Sequence, residues 1–206
     1  MSYTTAYLQA HGQAVTVLRN RALTLSGLMP FSPITPISMK RSTKAVRDPG
    51  LRSNYWEGIA LPESELASGE IFQIGTDKYL VQSVDNDVTS GALAWFAVKT
   101  NTVLAHKQYV EEYDANYNII QGWKTINGEV DTFAQIITYA LRQYDPGLLE
   151  SARYIFWLPK SAGIKELDRI VLDDNNYQAE SIDDVMLPGV VRIQASVDTR
   201  PGEDIV

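Results

Sequence analysis

The chain has 206 residues, of which 45% are hydrophobic and 21% charged, a composition typical of a soluble globular protein. It contains no cysteine, which excludes disulfide scaffolds, thiolate metal sites and cysteine nucleophiles. The net charge of −7 comes from residues 127–206, which carry seven basic and fourteen acidic side chains. Because modules that read nucleic-acid sequence present a basic face, this half argues against such a module, although a weakly repulsive wall would still let a polyanion slide past.

The first 37 residues predict a short helix, a strand and a long loop. Residues 2–10 fit a helix that ends at Gly12, and residues 14–19 fit a strand. Residues 21–37 are rich in proline, serine and threonine, which is typical of a loop. The first residues show neither the basic nor the apolar stretch of a signal peptide, and no apolar run approaches the roughly 18 residues of a membrane span.

An internal repeat follows. The motif DPGL at residues 48–51 recurs at residues 145–148, an offset of 97, and one inserted residue then changes the offset to 98. Five identical pairs share the second offset: Tyr79 and Tyr177, Ser83 and Ser181, Asp85 and Asp183, Gly91 and Gly189, and Ala97 and Ala195. Because these matches fall in one register, they indicate a tandem duplication.

Each copy predicts a small β unit. The proline and glycine of DPGL favour a turn between two strands. The strands predicted after it are 55–61, 70–74, 79–84 and 92–100 in the first copy and 153–158, 168–172, 177–182 and 190–197 in the second. Short strands at this spacing indicate a mainly β fold with two tandem, duplicated small β-barrel or sandwich domains, a short N-terminal helix and extended loops.

Residues 130–144 fit both a helix and a strand. Their apolar residues recur at helical spacing, but the corresponding residues 33–47 of the first copy contain two prolines, each costing about 3 kcal/mol inside a helix. A fold shared by both copies therefore favours a strand. The predicted organisation is an N-terminal helix and strand (1–20), a first β domain (21–110), a connecting segment (111–128), a second β domain (129–198) and a tail that extends from the fold (199–206).

The sequence contains none of the common catalytic motifs: there is no HExxH, GxSxG, GxGxxG or P-loop pattern. His11 and His106 have no second metal ligand at short spacing, so both are expected to be surface or structural residues. No local motif therefore indicates catalysis or a metal site.

Three acidic pairs are the best candidates for a metal or acid–base site. They are Asp85 and Asp87, Asp173 and Asp174, and Asp183 and Asp184. All three lie where β-turns are predicted, and aspartate favours turns because its side chain bonds nearby backbone. None belongs to a DxDxDG calcium loop, so turn formation is the preferred interpretation.

A basic stretch comprises Lys40, Arg41 and Lys44, with Arg47 and Arg52 close behind. The preferred interpretation is a solvated strand face, and the alternatives are contact with an acidic protein partner or with phosphates. Its charge complements the acidic second half, which allows head-to-tail contact between the subunits of a ring.

Trp95 and Phe96 are adjacent in a predicted strand. Successive side chains of a strand point to opposite faces. One of the two rings is therefore expected on the outside, unless a partner or the other copy covers it.

Two segments share a short pattern, gD-x-I followed by g-x-x-Y-x-V-x-s-x-D. They are residues 69–101 (GEIFQIGTDKYLVQSVDNDVTSGALAWFAVKTN) and residues 167–201 (LDRIVLDDNNYQAESIDDVMLPGVVRIQASVDTRP). The pattern resembles the small β-barrels of the neck and head-closure proteins of tailed bacteriophages, and the resemblance covers residues 45–101 and 137–201. Arg169 stands where that family has an apolar residue, and Ala179 replaces its usual valine.

The resemblance implies a structural virion protein, not an enzyme, that forms a homo-oligomeric ring, commonly of six or twelve copies, in the neck of the phage. Its partners would be the portal or adaptor protein, the tail terminator or tail-tube proteins, and double-stranded DNA that passes without sequence reading. It would be assembled in the host bacterial cytoplasm, with no membrane partner and no cofactor. The candidate lumen or interface residues are Asp173, Asp174, Lys40, Arg41 and Lys44.

Two other functions remain open. The first is a tandem β-barrel binding module that recognises a peptide, a glycan or nucleic acid. The second is an enzyme that uses carboxylates for hydrolysis. A monomer stabilised by a ligand would favour the binding module, whereas rings in electron micrographs would favour the neck protein.

Overall fold

The computed structural model describes residues 3–19, 29–42, 52–87, 91–113 and 117–205. The chain forms two compact units, each built mainly of β-strands. The first unit comprises Met1–Thr100, Pro159–Ser161 and Asp184–Val190, and the second comprises Asn101–Leu158, Ala162–Asp183 and Val191–Val206. The predicted mainly β fold class is confirmed.

The first sheet has the strand order β2-β1-β5-β6-β7-β4-β3. Its edges meet through a single bridge between Ile37 and Ala60, so the sheet curls into a half-barrel. The elements of this part of the chain are helix α1 (Tyr3–His11) and strands β1 (Gln13–Arg19), β2 (Met29–Ile37), β3 (Lys40–Arg41), β4 (Tyr55–Ala60), β5 (Ile71–Ile74), β6 (Asp77–Asp87) and β7 (Ala92–Lys99).

The second sheet has the order β10-β13-β12-β11-β8-β9-β14. Strands β9 and β10 pair over four residues, from Tyr154 with Ile136 to Trp157 with Phe133, and this pairing closes a six-stranded barrel. The elements are strands β8 (Thr102–Tyr113) and β9 (Ile119–Ile136), helix α2 (Tyr139–Tyr144), and strands β10 (Tyr154–Pro159), β11 (Arg169–Leu172), β12 (Asn175–Asp183), β13 (Val190–Val197) and β14 (Asp204–Ile205).

The two sheets repeat one topology and one register. Strands β1, β5, β6, β7 and β4 are neighbours in the same order as β8, β11, β12, β13 and β10. Phe72 pairs with Tyr79 in the first sheet, and Ile170 pairs with Tyr177 in the second, which is the offset of 98 seen in the sequence. The two units are therefore duplicates in structure as well as in sequence.

Irregularities in the ladders recur at equivalent places. The β6–β7 ladder skips Gln82, and the β12–β13 ladder skips Glu180, again 98 residues later. The ladders of β1 with β2 and of β8 with β9 also break at matching points, at Thr16 and at Ala105. Because β1 and β8 lie outside the sequence matches, the duplicated unit is larger than the sequence indicates.

Tyr79 and Tyr177 occupy equivalent positions in the cores of the two units. Tyr79 stacks on Phe72 with ring centroids 5.1 Å apart, and the edge of Trp56 meets it at 5.9 Å. Tyr177 meets Tyr154 at 5.1 Å. Burial of such rings supplies much of the apolar area that a small barrel can remove from water.

The predicted long loop 21–37 contains a strand. Met29–Ile37 forms β2 and pairs along β1, whereas residues 20–28 lie outside the described part of the chain. Strand β2 meets β4 only at Ile37, so one of its edges is almost unused. The prolines of β2 cost little stability at this edge. Proline has no backbone N–H to donate, and an edge strand does not need that donor on its open side.

The predicted connecting segment 111–128 is not a connection between domains. The ends of β8 and β9 occupy it, and the second unit already begins at Asn101. These strands were missed because most of their distal side chains are exposed on both faces, so polar and apolar residues do not alternate.

The strand predicted over residues 130–144 is correct only as far as Ile136. Residues 139–144 form helix α2, and the Thr138 hydroxyl caps it by accepting from the Leu141 amide at 3.2 Å. Arg142 holds the helix in place by donating to the Leu149 and Ala152 carbonyls. Residues 130–144 contain no proline, unlike residues 33–47 of the first copy. The prolines that exclude a helix in the first copy therefore do not exclude one here.

The tail predicted to extend from the fold is partly ordered against it. Asp204 and Ile205 form β14, which runs parallel to β9 beside Trp123 and Lys124. The predicted N-terminal helix and the strand after it are confirmed as α1 and β1.

Candidate interaction surfaces

One of the two histidines is buried and the other is exposed. His106 is fully buried, and its Nε2 lies 2.7 Å from Asp168 Oδ2. Asn127 Nδ2 lies 3.3 Å from Nδ1, so Nδ1 accepts and Nε2 carries the proton that it donates to Asp168. His11 is exposed at the end of α1, with its ring 5.2 Å from that of Tyr7.

The carboxyl group of Asp168 ties a loop to the barrel. It accepts from the Lys165 amide at 2.7 Å and from Gln108 Nε2 at 3.1 Å. Burial opposes ionisation, but the hydrogen bonds from His106, the Lys165 amide and Gln108 outweigh it and lower the pKa of Asp168. In the first unit Glu70 accepts from the Ala67 amide in the same way, at 3.0 Å, so this carboxylate-to-amide bond belongs to the duplicated architecture.

The pair Asp173 and Asp174 forms a turn, as predicted. Both residues are exposed in the two-residue loop between β11 and β12, with φ of +48° and +62°. Positive φ at both positions is typical of a type I′ hairpin turn, which aspartate tolerates. The side chain of Asn175 supports the turn by donating to the Asp173 carbonyl at 2.8 Å.

The other two acidic pairs do not fit the predicted turns. Asp85 and Asp87 lie on strand β6. Asp183 ends β12, and Asp184 follows it with an ion pair to Lys160 at 2.7 Å. Among the described residues, no three histidine, aspartate or glutamate side chains are grouped closely enough to hold a metal ion.

The basic candidates lie at the edge of the first sheet. Lys40 and Arg41 constitute β3, the last strand in the sheet order, and both are exposed. Lys40 Nζ lies 3.3 Å from Glu57, and the Arg41 guanidinium lies 5.6 Å from the ring centroid of Trp56. Lys44 lies outside the described residues.

A groove of about 750 Å³ lies on the outer face of the half-barrel, across β4, β7 and β6. Phe96 forms part of its floor and stacks on Tyr55 with centroids 5.6 Å apart. Burial raises the pKa of Tyr55 to about 12. Trp95 is only 2% exposed and faces the core, which confirms that the adjacent rings point to opposite sides.

The rim of the groove is mostly acidic. Glu57 lies beside Phe96, and Asp85 lies beside Ala94, on paired strands. Asp87 and Lys40 complete the charged rim. An apolar floor with carboxylates around it can hold an extended ligand that carries both apolar and basic or hydroxyl groups.

A second candidate surface is the far end of the β8–β9 hairpin, residues 108–113 and 119–121, which we call the distal arm. Strand β11 pairs with β8 only over residues 105–107, and β14 pairs with β9 only at Trp123 and Lys124. Within the described chain, the distal arm therefore has no strand beside it on either edge. Its exposed apolar side chains include Tyr113 at 68% and Ile119 at 55%.

A cluster of four side chains, which we call the clamp, holds the end of the distal arm nearest the barrel. It consists of Trp123, Arg169, Asp198 and Arg200. Trp123 is 1% exposed, with the Arg169 guanidinium 3.8 Å and the Arg200 guanidinium 4.7 Å from its ring centroid. Both arginines donate to Asp198, at 2.8 Å and 2.9 Å. Burial would raise the pKa of Asp198, but the hydrogen bonds from Arg200 and Arg169 outweigh it and lower the pKa to about 2.

The clamp accounts for the buried arginine at position 169. Its guanidinium also donates to the Arg200 carbonyl at 2.7 Å, so it fastens the C-terminal segment to the barrel. Lys107 Nζ adds an ion pair to Asp204 at 2.6 Å. The sequence shows Arg169, Asp198 and Arg200, but no local pattern indicates that they meet around a tryptophan.

No protein-family model matches the chain, and a comparison with curated proteins found no match. In the described part of the chain, no helix is both long and apolar enough to cross a bilayer.

Proposed function

We propose that the protein is a structural virion protein of a tailed phage, which forms a ring in the neck between the portal or adaptor and the tail. The observation that carries this proposal is the distal arm. A two-stranded ribbon without further packing is marginally stable in water, so exposed tyrosine and isoleucine on such a ribbon favour a role in subunit contact.

The polar clusters support a structural role. Two buried pairs satisfy each other's hydrogen-bonding groups and hold backbone segments in place. They are His106 with Asp168 and Arg169 with Asp198. A catalytic group needs instead to reach a bound substrate. The clusters therefore serve a rigid scaffold that presents its loops, edge strands and arm to other subunits.

The charge distribution supports a role in retaining and conducting DNA. Asp173 and Asp174 are exposed at the tip of a hairpin in the acidic half of the chain. A ring that turns these hairpins towards its lumen would repel the phosphate backbone weakly and let DNA pass without binding.

The direct test is association with a portal protein. The genes that flank the coding sequence should include portal, capsid and tail genes, and the purified protein should co-sediment with the portal protein encoded there. A genomic context without virion genes, together with no binding to the portal, would contradict the proposal.

The groove on the first unit favours a second candidate, a tandem β-barrel binding module for a peptide, glycan or nucleic acid. Its aromatic floor around Phe96 and its acidic rim suit a peptide or a sugar better than a phosphate backbone. Thermal shift against peptide, oligosaccharide and oligonucleotide panels tests this candidate. A shift that is lost in Phe96→Ala, with the fold retained, would favour the module.

A further inference from the structure

The distal arm presents two unlike faces. Tyr109, Glu111 and Tyr113 lie on one face, opposite Trp123, Gln121 and Ile119 on β9. On the other face Glu112 pairs with Lys124 at 2.6 Å, which neutralises its charge. The first face thus combines exposed tyrosines with the Glu111 carboxylate, which has no ion pair among the described residues.

The arm is acidic as a whole. Residues 108–121 contain three acidic side chains and no basic one. Strand β8 also has a free backbone edge from residue 108 to residue 113 in the described chain, about 20 Å at the usual rise per residue. A strand with a free edge and exposed rings is suited to pair with another edge strand.

The first unit carries a complementary edge. Strand β3 ends its sheet and consists of Lys40 and Arg41, whose side chains point into solvent. The side chain of Lys40 is 74% exposed although it lies near Glu57. Arg41 lies over Trp56, so the edge offers cations next to an aromatic surface.

We infer that the distal arm of one copy of the chain docks along the β3 edge of a second copy. Glu111 would then face Arg41, and the tyrosines of the arm would pack beside Trp56 on the same face of the edge. The two surfaces differ, so the contact is heterologous, and repetition around an axis closes a ring. The inference rests on the proposed function in one respect, because both require that copies of the chain associate.

Photo-crosslinking between copies tests the inference. One preparation carries p-benzoyl-phenylalanine in place of Tyr113 on the arm, and a second, isotopically labelled preparation carries none. After mixing and irradiation over a range of protein concentrations, mass spectrometry identifies the linked peptides. The matched control places the same probe at Tyr139, which is 78% exposed on α2.

The expected result is a link from position 113 to the labelled peptide that contains Lys40 and Arg41, with no such link from position 139. Links within one copy only, links to other peptides, or no intermolecular product would overturn the inference. If the same preparation binds a portal protein in those cases, the proposed function stands and the docking site is wrong.

Charge exchange gives a second, independent readout. We expect Glu111→Lys to weaken self-association about tenfold, and Arg41→Glu to do the same. Combining both changes should restore much of the lost affinity, because the charges again oppose each other. The control Glu166→Lys, at an exposed site outside both proposed surfaces, should leave the affinity unchanged.

Sedimentation velocity measures the affinities, and circular dichroism shows that each variant remains folded. The inference would be overturned if the combined variant did not regain affinity. It would also be overturned if Glu166→Lys weakened self-association as much as the other changes do.

Discussion

The guanidinium of Arg169 lies 3.8 Å from the ring centroid of Trp123 and donates to Asp198 at 2.8 Å. One side chain thus joins strand β11, the root of the distal arm and the start of the C-terminal segment. Since Arg169 and Asp198 are both buried, loss of the cation leaves a carboxylate with fewer partners in a region of low polarity.

Arg169→Leu should lower the free energy of unfolding by about 3 kcal/mol, because the partner charge stays buried. Urea denaturation measures the change. The control Arg153→Leu removes an exposed arginine and should cost less than about 1 kcal/mol. Equal effects of the two changes would show that the clamp does not stabilise the fold.

Gly202→Ala should loosen the C-terminal strand. Gly202 has φ of +136°, and a Cβ built there would lie 2.7 Å from Trp123 Nε1. We expect a loss of about 1–2 kcal/mol and faster proteolysis after residue 198. Gly128→Ala, at an open position on β9, is the control and should not accelerate cleavage.

Acid should weaken the fold through Asp168 and Asp198. Both carboxyls have a pKa below the ordinary value in the folded state, that of Asp198 at about 2, so their contribution is present above pH 3.8 and is lost as pH falls towards 2. The free energy of unfolding should therefore drop over this range. Asp198→Asn should flatten the drop, whereas Asp173→Asn in the exposed turn should not, and urea titrations at each pH decide between these outcomes.

Leu167→Gly should stabilise the second unit. Leu167 has φ of +69° and is 60% exposed, and the equivalent residue of the first unit is Gly69 with φ of +85°. Glycine adopts this conformation without strain, so we expect a gain of about 1 kcal/mol, measured as a raised thermal midpoint. Leu149→Gly, where φ is negative, should destabilise the protein instead. A destabilised Leu167→Gly would mean that its side chain packs more than its exposure indicates.

Neutralising the exposed hairpin should slow DNA passage. Asp173→Asn with Asp174→Asn removes two charges, and asparagine keeps the type I′ turn. If the hairpin faces the lumen of a neck ring, phages that carry these changes should eject DNA more slowly in a fluorescence assay. The control Glu166→Gln should eject at the normal rate. Normal ejection by the double variant would contradict the lumen position.

Sequence reasoning found the duplicated units because equivalent buried residues were retained. Tyr79 and Tyr177 hold the same place in two cores, so they mark the register directly. Strands β1 and β8 diverged beyond recognition, since a strand requires only suitable alternation and not particular residues. The bulges at Thr16 and Ala105 reveal their equivalence only in three dimensions.

The interaction surfaces were less predictable. The distal arm lacks the alternation of a half-buried strand, because most of its described side chains are exposed on both faces. The clamp around Trp123 joins residues that are far apart in sequence, and such contacts leave no local periodicity. The basic edge at Lys40 and Arg41 was predictable because its charges are adjacent in the chain.

Negative-stain electron microscopy of the purified protein, alone and mixed with the portal protein, tests the central claim most directly. The account predicts closed rings of constant subunit number, stacked coaxially on the portal when it is present. Single particles of one chain in both samples would contradict it.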